Sequence, residues 1–226
     1  MKSFAEVSTG LVDDIDGQGR ETGGLQQELL AGLKQNLQQI SQHGQRASSI
    51  IKDMLAHSRS GTSPRALADL NALAQEYLAL AYEGFKAREP AFAARLTTDF
   101  DPGLAPLAVV AADLGRVLLN LGTNAFQAVH YHRAQAGPGY APTIHLATRA
   151  RPDGVEIRVR DNGAGMPAAV RERVFEPFFT TKPAGEGTGL GLSLSHDIIS
   201  KGHGGTLTVE SAEGWGTEFV ITLPRA

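Results

Sequence analysis

The chain of 226 residues contains no cysteine. This absence excludes disulfide bonds, thiolate zinc sites and a cysteine nucleophile. No stretch approaches the roughly 20 apolar residues of a membrane-spanning helix, and the N-terminus lacks the apolar core of a signal peptide. A net charge of only −3 gives no electrostatic reason to expect nucleic acid or an anionic membrane as a partner. The sequence therefore predicts a cytoplasmic protein without nucleic-acid or membrane contact.

The N-terminal part of the chain is patterned as two helices. Residues 25–58 predict one long helix, because their apolar and small residues recur at alternating steps of three and four, the spacing of a bundle seam. These residues are Leu30, Leu33, Leu37, Ile40, Gly44, Ala47, Ile51 and Met54. Residues 2–15 predict a shorter amphipathic helix. Two helices alone bury too little surface, so we expect residues 1–60 to form a hairpin that pairs with a second copy into a four-helix bundle. A purely structural coiled coil is the alternative.

Residues 61–226 predict a separate catalytic domain with both helices and strands. Extended segments are expected at residues 93–99, 107–110, 143–149, 155–160, 207–211 and 218–223. Helices are expected from an N-cap at Asp69 to about residue 87, at 113–133, briefly near 168–174, and at 191–201. A mixed sheet with helices on one face is the simplest architecture for these elements.

Two asparagines one turn apart mark the predicted helix at 113–133. Asn120 and Asn124 share a stripe with Gln127, beside the leucine stripe that would face the sheet. Asparagine is a mediocre helix former, so this pair calls for an explanation. Amide oxygens are hard, neutral ligands, and magnesium takes one or two protein oxygens and completes its shell with water and phosphate. A solvated helix face is the alternative.

Two glycine-containing segments follow. Asp161-Asn-Gly163-Ala-Gly165 comes directly after a predicted strand, and its glycines let a flat ligand approach the backbone. An ionised carboxylate there accepts a hydrogen bond from the adenine amino group and repels the guanine carbonyl. Gly187-Thr188-Gly189-Leu190-Gly191 runs into a predicted helix, where backbone amides and the helix N-terminus attract phosphate. Taken alone, an ordinary turn and a flexible linker explain these segments equally well.

Together with Phe175-Glu-Pro-Phe178-Phe179-Thr-Thr-Lys182, these segments resemble the N, G1, F and G2 boxes of sensor histidine kinases, in that order. The ATP domain of that family has the Bergerat fold, shared with type II topoisomerase and mismatch-repair ATPases. The resemblance implies an α+β chain, in which a helical hairpin precedes a two-layer α/β sandwich. It also implies a dimeric protein histidine kinase that moves the γ-phosphoryl of Mg-ATP to its own histidine and then to an aspartate of a response-regulator receiver domain.

The resemblance also implies individual roles for the motif residues. Asn124 would be the Mg2+ ligand, and Asn120 would support the metal or its waters. The phenylalanines would anchor a mobile lid. Gln127 departs from the family, because many of these kinases carry a basic residue there, so a direct positive charge on the phosphates is lost. The residues implied in ATP binding are Asn120, Asn124, Gln127, Asp161, Gly163, Gly165, Lys182, Gly187, Thr188, Gly189, Leu190, Gly191 and Thr217.

Asn120 also bears on the reaction type. In the hydrolysing relatives of this fold, the matching position is a glutamate that activates water. An amide cannot act as a general base at neutral pH. The sequence therefore favours transfer of the phosphoryl group over an ATPase of the same fold.

The family's phosphoacceptor segment, His-Glu/Asp-x-x-x-Pro, does not occur in the 226 residues, and none of the seven histidines replaces it convincingly. The opening Phe4-Ala-Glu-Val-Ser resembles the sequence that follows this box in soluble-type kinases. We therefore expect a chain that starts downstream of the box, binds ATP and cannot phosphorylate itself. The alternative is an ATP-binding pseudokinase or interaction module that regulates a partner kinase.

Overall fold

The computed structural model describes residues 30–41, 43–44, 64–182 and 187–225. The chain divides into two compact units, Met1–Leu55 with Lys182–Thr188 and Ala56–Thr181 with Gly189–Ala226. In the first unit, residues 30–41 and 43–44 are helical (α1), within the predicted long helix. The predicted helix at residues 2–15 and the boundary after residue 60 lie outside the described residues. The dimerisation hairpin and the domain division therefore stay predictions.

A five-stranded mixed sheet forms one layer of the second unit. Its strands are β2 (Arg95–Asp99), β4 (Thr143–Arg151), β5 (Gly154–Asp161), β6 (Thr206–Ala212) and β7 (Gly216–Pro224). Their order across the sheet is β2-β4-β5-β7-β6, in which β2 is parallel to β4 and the other neighbours are antiparallel. Two short strands, β1 (Ala66–Ala68) and β3 (Leu107–Val109), pair separately. All six predicted strands are present. β1 was not predicted, because its sequence Ala66-Leu67-Ala68 has no β-branched residue and no alternation of apolar and polar residues.

The helices of this unit are α2 (Leu70–Lys86), α3 (Ala111–Arg133), α4 (Ala168–Arg171) and α5 (Gly191–Asp197), which continues as a π-helical turn over Ile198–Gly202. Asp69 caps α2 as predicted, since its side chain accepts hydrogen bonds from the backbone N–H groups of Asn71 and Ala72 at 2.9 and 3.1 Å. No helix in the described part of the chain is long and apolar enough to span a membrane.

The core lies between the sheet and the helices. Alternate strand residues face this layer, and the register places Leu146, Val159 and Phe219 side by side across β4, β5 and β7. Helix α3 contacts β4 and β5, and its Leu114 and Leu121 are completely buried. These contacts confirm the predicted apolar stripe of α3.

The opposite face of the sheet is polar. Arg158 pairs with Glu156 at 2.6 Å and with Glu218 at 2.7 Å on the neighbouring strand. The hydrogen bond from Arg158 lowers the pKa of Glu156 below its usual value. Within the described residues, helices cover the apolar face of the sheet, and the predicted two-layer α/β sandwich is confirmed.

His203 ties the end of the π-helical turn to the start of α3. Its Nε2 accepts a hydrogen bond from the Val110 N–H at 3.1 Å, and Val110 directly precedes α3. Because a backbone N–H can only donate, the proton of the neutral ring lies on Nδ1, which donates to the Ile198 carbonyl at 3.0 Å. This buried link holds the two helices that carry the asparagine and glycine motifs.

Candidate nucleotide-binding site

A row of polar side chains ends the buried face of the sheet. The register pairs Asp161 with Thr217 across β5 and β7, and Thr217 with Ser211 across β7 and β6. Directly paired residues of neighbouring strands point to the same face, which here is the face covered by helices. The exposed fractions of Asp161, Thr217 and Ser211 are 4%, 5% and 5%. Buried polar groups of this kind need hydrogen-bond partners.

Backbone donors hold the Asp161 carboxylate. Its Oδ1 accepts a hydrogen bond from the Gly163 N–H at 2.8 Å. Burial raises the pKa of Asp161 from 3.8 to about 6, although hydrogen bonds from the backbone N–H groups of Gly163 and Thr217 act in the opposite direction. A carboxylate can accept more than two hydrogen bonds. Asp161 can therefore also accept one from a ligand.

The glycines after Asp161 are required by close packing. Gly165 has a φ of +74°, and a Cβ there would lie 1.9 Å from the Ala212 carbonyl oxygen. A Cβ on Gly163 would lie 2.9 Å from Asp161 Oδ1 and 3.0 Å from Ala128 Cβ. A side chain at either position would push the loop away from its place between β6 and α3.

Asn162 fastens the same loop to the start of β4. Its Oδ1 accepts a hydrogen bond from the Thr143 N–H at 2.8 Å, and its Nδ2 donates to the Ala141 carbonyl at 2.9 Å. The Tyr140 hydroxyl donates to the Asn162 carbonyl at 3.1 Å. The sequence did not identify these supporting residues, because their partners lie about 20 positions earlier in the chain.

The predicted stripe of amides lies along α3. Asn120, Asn124 and Gln127 are each partly buried. Asn120 Nδ2 donates to Ser195 Oγ at 3.0 Å, and this hydroxyl donates to the Gly191 carbonyl at 2.9 Å. The Asn120 oxygen lies against Gly191, where a Cβ would be 2.5 Å from it. The fold therefore brings the asparagine motif into contact with the glycine motif at α5.

The residues present fit a magnesium ion that binds together with a nucleotide. Ser195 accepts a hydrogen bond from the Asn120 nitrogen, so the oxygen of the Asn120 amide takes no part in that bond and could bind a metal ion. The side chain of Asn124 contains a second neutral amide oxygen. Among the described residues, no group of three or more His, Cys, Asp or Glu side chains could hold a metal ion. A magnesium ion here would depend on phosphate and water for the rest of its shell.

The phenylalanine and glycine motifs meet at Gly189. This residue has a φ of +68°, and a Cβ there would lie 2.4 Å from the carbonyl carbon of Phe178. The Phe178 N–H donates to the Gly189 carbonyl at 2.9 Å, and Phe178 itself has a φ of 65°. Leu190 then leads directly into α5 at Gly191. Any side chain at position 189 would disturb this junction.

Phe175 and Phe178 differ in how firmly they are held. The Phe175 ring lies 5.2 Å from the ring of His196 on α5 and 6.4 Å from that of Phe219 on β7. Phe178 is 61% exposed. Phe179, the third aromatic residue of the motif, is partly buried, and the Arg173 guanidinium lies 4.4 Å from its ring centre. The predicted role of these residues in a lid stays a prediction.

Lys182, Gly187 and Thr188 belong to the other compact unit, and residues 183–186 lie outside the described residues. Their predicted contacts with phosphate therefore stay predictions. Sequence analysis missed Ser195 and Ser211, whose hydroxyls contact predicted site residues. A serine on a strand or helix carries no motif of its own, so only the three-dimensional arrangement reveals these contacts.

Residues 109–226 match the family of histidine kinase-, DNA gyrase B-, and HSP90-like ATPases. This match covers more than half of the 226 residues. The chain belongs to this family. The family assignment implies ATP binding and agrees with the polar row and the glycine loops.

The chain is 38% identical to the sensor kinase CckA of Brucella abortus over an alignment of 200 residues, which covers 84% of this chain and 20% of CckA. The catalytic domain of the histidine kinase ThkA superposes with a TM-score of 0.58 at 27% identity, over 72% of this chain and 99% of that domain. A structure of ThkA in complex with the response regulator protein TrrA has a TM-score of 0.65 at 22% identity, over 99% of this chain and 58% of that one, and shows the fold alone.

The predicted resemblance to sensor histidine kinases and the Bergerat-type fold are confirmed by these matches. The curated relatives are much longer than this chain, which spans 12% to 37% of their length.

Proposed function

We propose that this chain is the Mg-ATP-binding catalytic region of a two-component sensor histidine kinase, which transfers the γ-phosphoryl of ATP to a histidine and then to a response-regulator aspartate. The buried row of Asp161 and Thr217 carries the proposal. It puts two hydrogen-bond acceptors side by side at the ends of β5 and β7, and Gly163 and Gly165 hold the loop that follows Asp161 in its place between α3 and β6. The adenine amino group would donate to Asp161.

The phosphates would extend from this row toward α3 and α5. Asn124, with Asn120, would hold Mg2+, which neutralises charge on the phosphates during transfer. Gln127 would donate a hydrogen bond to phosphate. The backbone around Thr188, the glycines and Leu190, together with Lys182, would complete the phosphate site.

The chemistry of the Asn120 side chain favours phosphoryl transfer over hydrolysis. Its side chain is an amide whose nitrogen is bound to Ser195, so it has no basic group with which to activate water. Transfer to an imidazole depends mainly on positioning and on charge stabilisation, and less on covalent chemistry by the kinase. The amide site suits such a reaction.

The proposal includes partners and location. The helical residues 30–41 and 43–44 support a homodimer formed through the hairpin. The similarity to sensor kinases such as CckA supports the receiver domain of a response regulator as the partner of this chain. We place the reaction in the cytoplasm, where ATP and receiver domains would be available to it.

One observation favours a second candidate function. The 226 residues contain no His-Glu/Asp-x-x-x-Pro segment. A kinase reaction of the proposed type would therefore need an acceptor histidine from outside these residues. An ATP-binding pseudokinase or interaction module that regulates a partner kinase would need no such segment. If a longer form that contains the segment fails to phosphorylate itself, this second candidate is favoured.

Calorimetric titration with Mg-ADP tests the proposed function. We expect ADP to bind and GDP not to bind. Asp161→Asn should weaken ADP binding roughly 10- to 100-fold, because a charge-assisted hydrogen bond contributes about 1.5–3 kcal/mol. Asp153→Asn makes the same chemical change at an exposed residue between β4 and β5 and should leave the affinity unchanged.

Each outcome decides between the candidates. Equal ADP affinity in the wild type and Asp161→Asn would refute the adenine-reading role of Asp161. Absence of ADP binding to the wild type would mean that the four motifs persist as a scaffold. The interaction-module function would then be favoured.

A further inference from the structure

Ser211 ends the polar row on the buried face of the sheet, next to Thr217. It lies on β6, is 5% exposed, and is paired in register with Thr217. Its hydroxyl contacts three groups near Asp161. They are the Met166 N–H at 2.9 Å, the Gly216 carbonyl at 2.8 Å and the Thr217 hydroxyl at 3.0 Å. One hydroxyl therefore joins the loop after Asp161 to the start of β7.

The chemistry of the three partners fixes the direction of each hydrogen bond. A hydroxyl has one proton to donate and two lone pairs. The Met166 N–H can only donate, so it occupies one lone pair of Ser211. The Gly216 carbonyl can only accept, so it takes the Ser211 proton. The remaining lone pair can only accept from Thr217, so the Thr217 hydroxyl donates its proton to Ser211.

This assignment leaves Thr217 with no proton for a ligand. Thr217 is directly paired with Asp161 on the same face of the sheet, and the ionised Asp161 carboxylate is also an acceptor only. These two side chains therefore present acceptors and no donor to a ligand. Only a ligand group that brings hydrogen-bond donors is matched there.

We infer that Ser211 is a specificity-determining positioning residue, which orients the Thr217 hydroxyl so that the site accepts the 6-amino group of adenine and rejects a 6-carbonyl purine. This inference rests on the proposed function. The 6-amino group of adenine donates, whereas the 6-carbonyl oxygen of hypoxanthine or guanine accepts and would face two acceptors. Without Ser211, the Thr217 hydroxyl could rotate and donate to that carbonyl.

The test compares adenosine diphosphate with inosine diphosphate, which differ at the 6-position and in the N1 proton that accompanies the 6-carbonyl. Dissociation constants for both are measured by calorimetry on the wild type and on Ser211→Ala. We expect Ser211→Ala to reduce the preference for ADP, which is the ratio of the two dissociation constants, about tenfold. This is the effect expected when one hydrogen bond is exchanged in a buried site. The readout is the ratio of the two dissociation constants. Loss of the Ser211 hydrogen bonds to Met166 and Gly216 would weaken the binding of both nucleotides by the same factor, so it would not change this ratio.

Three further variants separate orientation of Thr217 from general support of the fold. Ser211→Cys fills the same space with a thiol that donates only weakly, so it should reduce the preference by less than alanine. Thr208→Ala removes a hydroxyl from the exposed side of β6 and should leave the ratio unchanged. In a Thr217→Val background, Ser211→Ala should cause no further change in the ratio, because the hydroxyl that it orients is gone.

The outcomes distinguish this inference from the proposed function. If Ser211→Ala and Ser211→Cys weaken ADP and inosine diphosphate by equal factors, Ser211 only supports the fold and the inference is wrong. A shift in the ratio that persists in the Thr217→Val background would also overturn it. If the wild type binds neither nucleotide, the proposed function fails, and the inference fails with it.

Discussion

Asp161 is a carboxyl group placed where its charge is disfavoured. Burial raises the pKa of Asp161 from 3.8 to about 6, so at neutral pH this side chain is ionised at a cost in desolvation. Binding of a donor would offset part of this cost. Functional residues often lower the stability of the folded chain in this way while they favour binding of a ligand.

Asp161→Asn should therefore stabilise the nucleotide-free chain at neutral pH. The folded-state pKa is raised, so between about pH 4 and 6 the folded chain keeps a proton that the unfolded chain has lost, and the free energy of unfolding falls as pH rises through this window. Asparagine does not titrate. Its stability advantage should be close to zero near pH 4 and grow to at most roughly 3 kcal/mol above pH 6, from about two pKa units at 1.4 kcal/mol each.

Urea unfolding of the wild type and Asp161→Asn from pH 4 to 8 measures this difference. The exposed Asp153→Asn variant is the control and should show no growing advantage between pH 4 and 6. A difference between Asp161→Asn and the wild type that does not change with pH would contradict the raised pKa of Asp161.

At the residue scale, the sequence predicted the positions that carry a motif. The Asp-Asn-Gly and Gly-x-Gly patterns marked Asp161 and three glycines, Gly163, Gly165 and Gly189. At each of these glycines the structure shows a neighbouring atom too close for a side chain. Ser211 could not be predicted in this way. Its contact with Thr217 depends on the register of β6 and β7. The direction of its hydrogen bonds depends on Met166, in the loop after β5, and on Gly216, at the start of β7.

Helices α2 and α3 pack against each other through small residues, and Gly115 of α3 is the tightest of them. A Cβ on Gly115 would lie 2.1 Å from the Tyr77 ring on α2, whereas a Cβ on Gly84 of α2 would meet nothing within 4 Å. The same substitution therefore has opposite consequences at these two helical glycines. This pair separates helix propensity from packing.

Gly84→Ala should raise the free energy of unfolding by up to about 1 kcal/mol, the gain in helix propensity. Gly115→Ala should lower it, because overpacking costs typically 1–3 kcal/mol and the Tyr77 ring has to leave its place. Urea unfolding measures both effects. In a Tyr77→Ala background the cost of Gly115→Ala should disappear; a cost that remains there would show that some contact other than the Tyr77 ring is responsible.

At the element scale, most boundaries followed from periodicity and caps. The N-cap at Asp69 and the six predicted strands are confirmed. The sequence predicted α3 to begin at residue 113, whereas it begins at Ala111. Its first turn has no side-chain cap to mark it, and the His203 contact that supports this end comes from a distant segment. The π-helical turn after α5 was also missed, because it has no periodic signature.

The chain combines a candidate nucleotide-binding site with the lack of a recognisable acceptor segment. Asn120, Asp161 and Gly189 lie on or beside α3, β5 and α5, yet no His-Glu/Asp-x-x-x-Pro segment occurs in the 226 residues. Asn120 cannot activate water in place of a glutamate. Binding of ATP and turnover of ATP should therefore be separable in this chain.

We expect the chain to bind Mg-ATP, to remain unphosphorylated and to release almost no phosphate. Incubation with ATP labelled in the γ position, followed by electrophoresis at alkaline pH, detects phosphohistidine, and a phosphate-release assay detects hydrolysis. Asp161→Asn is the control for contaminating enzymes, because any signal that survives in it does not come from this site. Label that is present in the wild type and absent from Asp161→Asn would show that one of the seven histidines is an acceptor, and the expectation of a missing acceptor would be wrong.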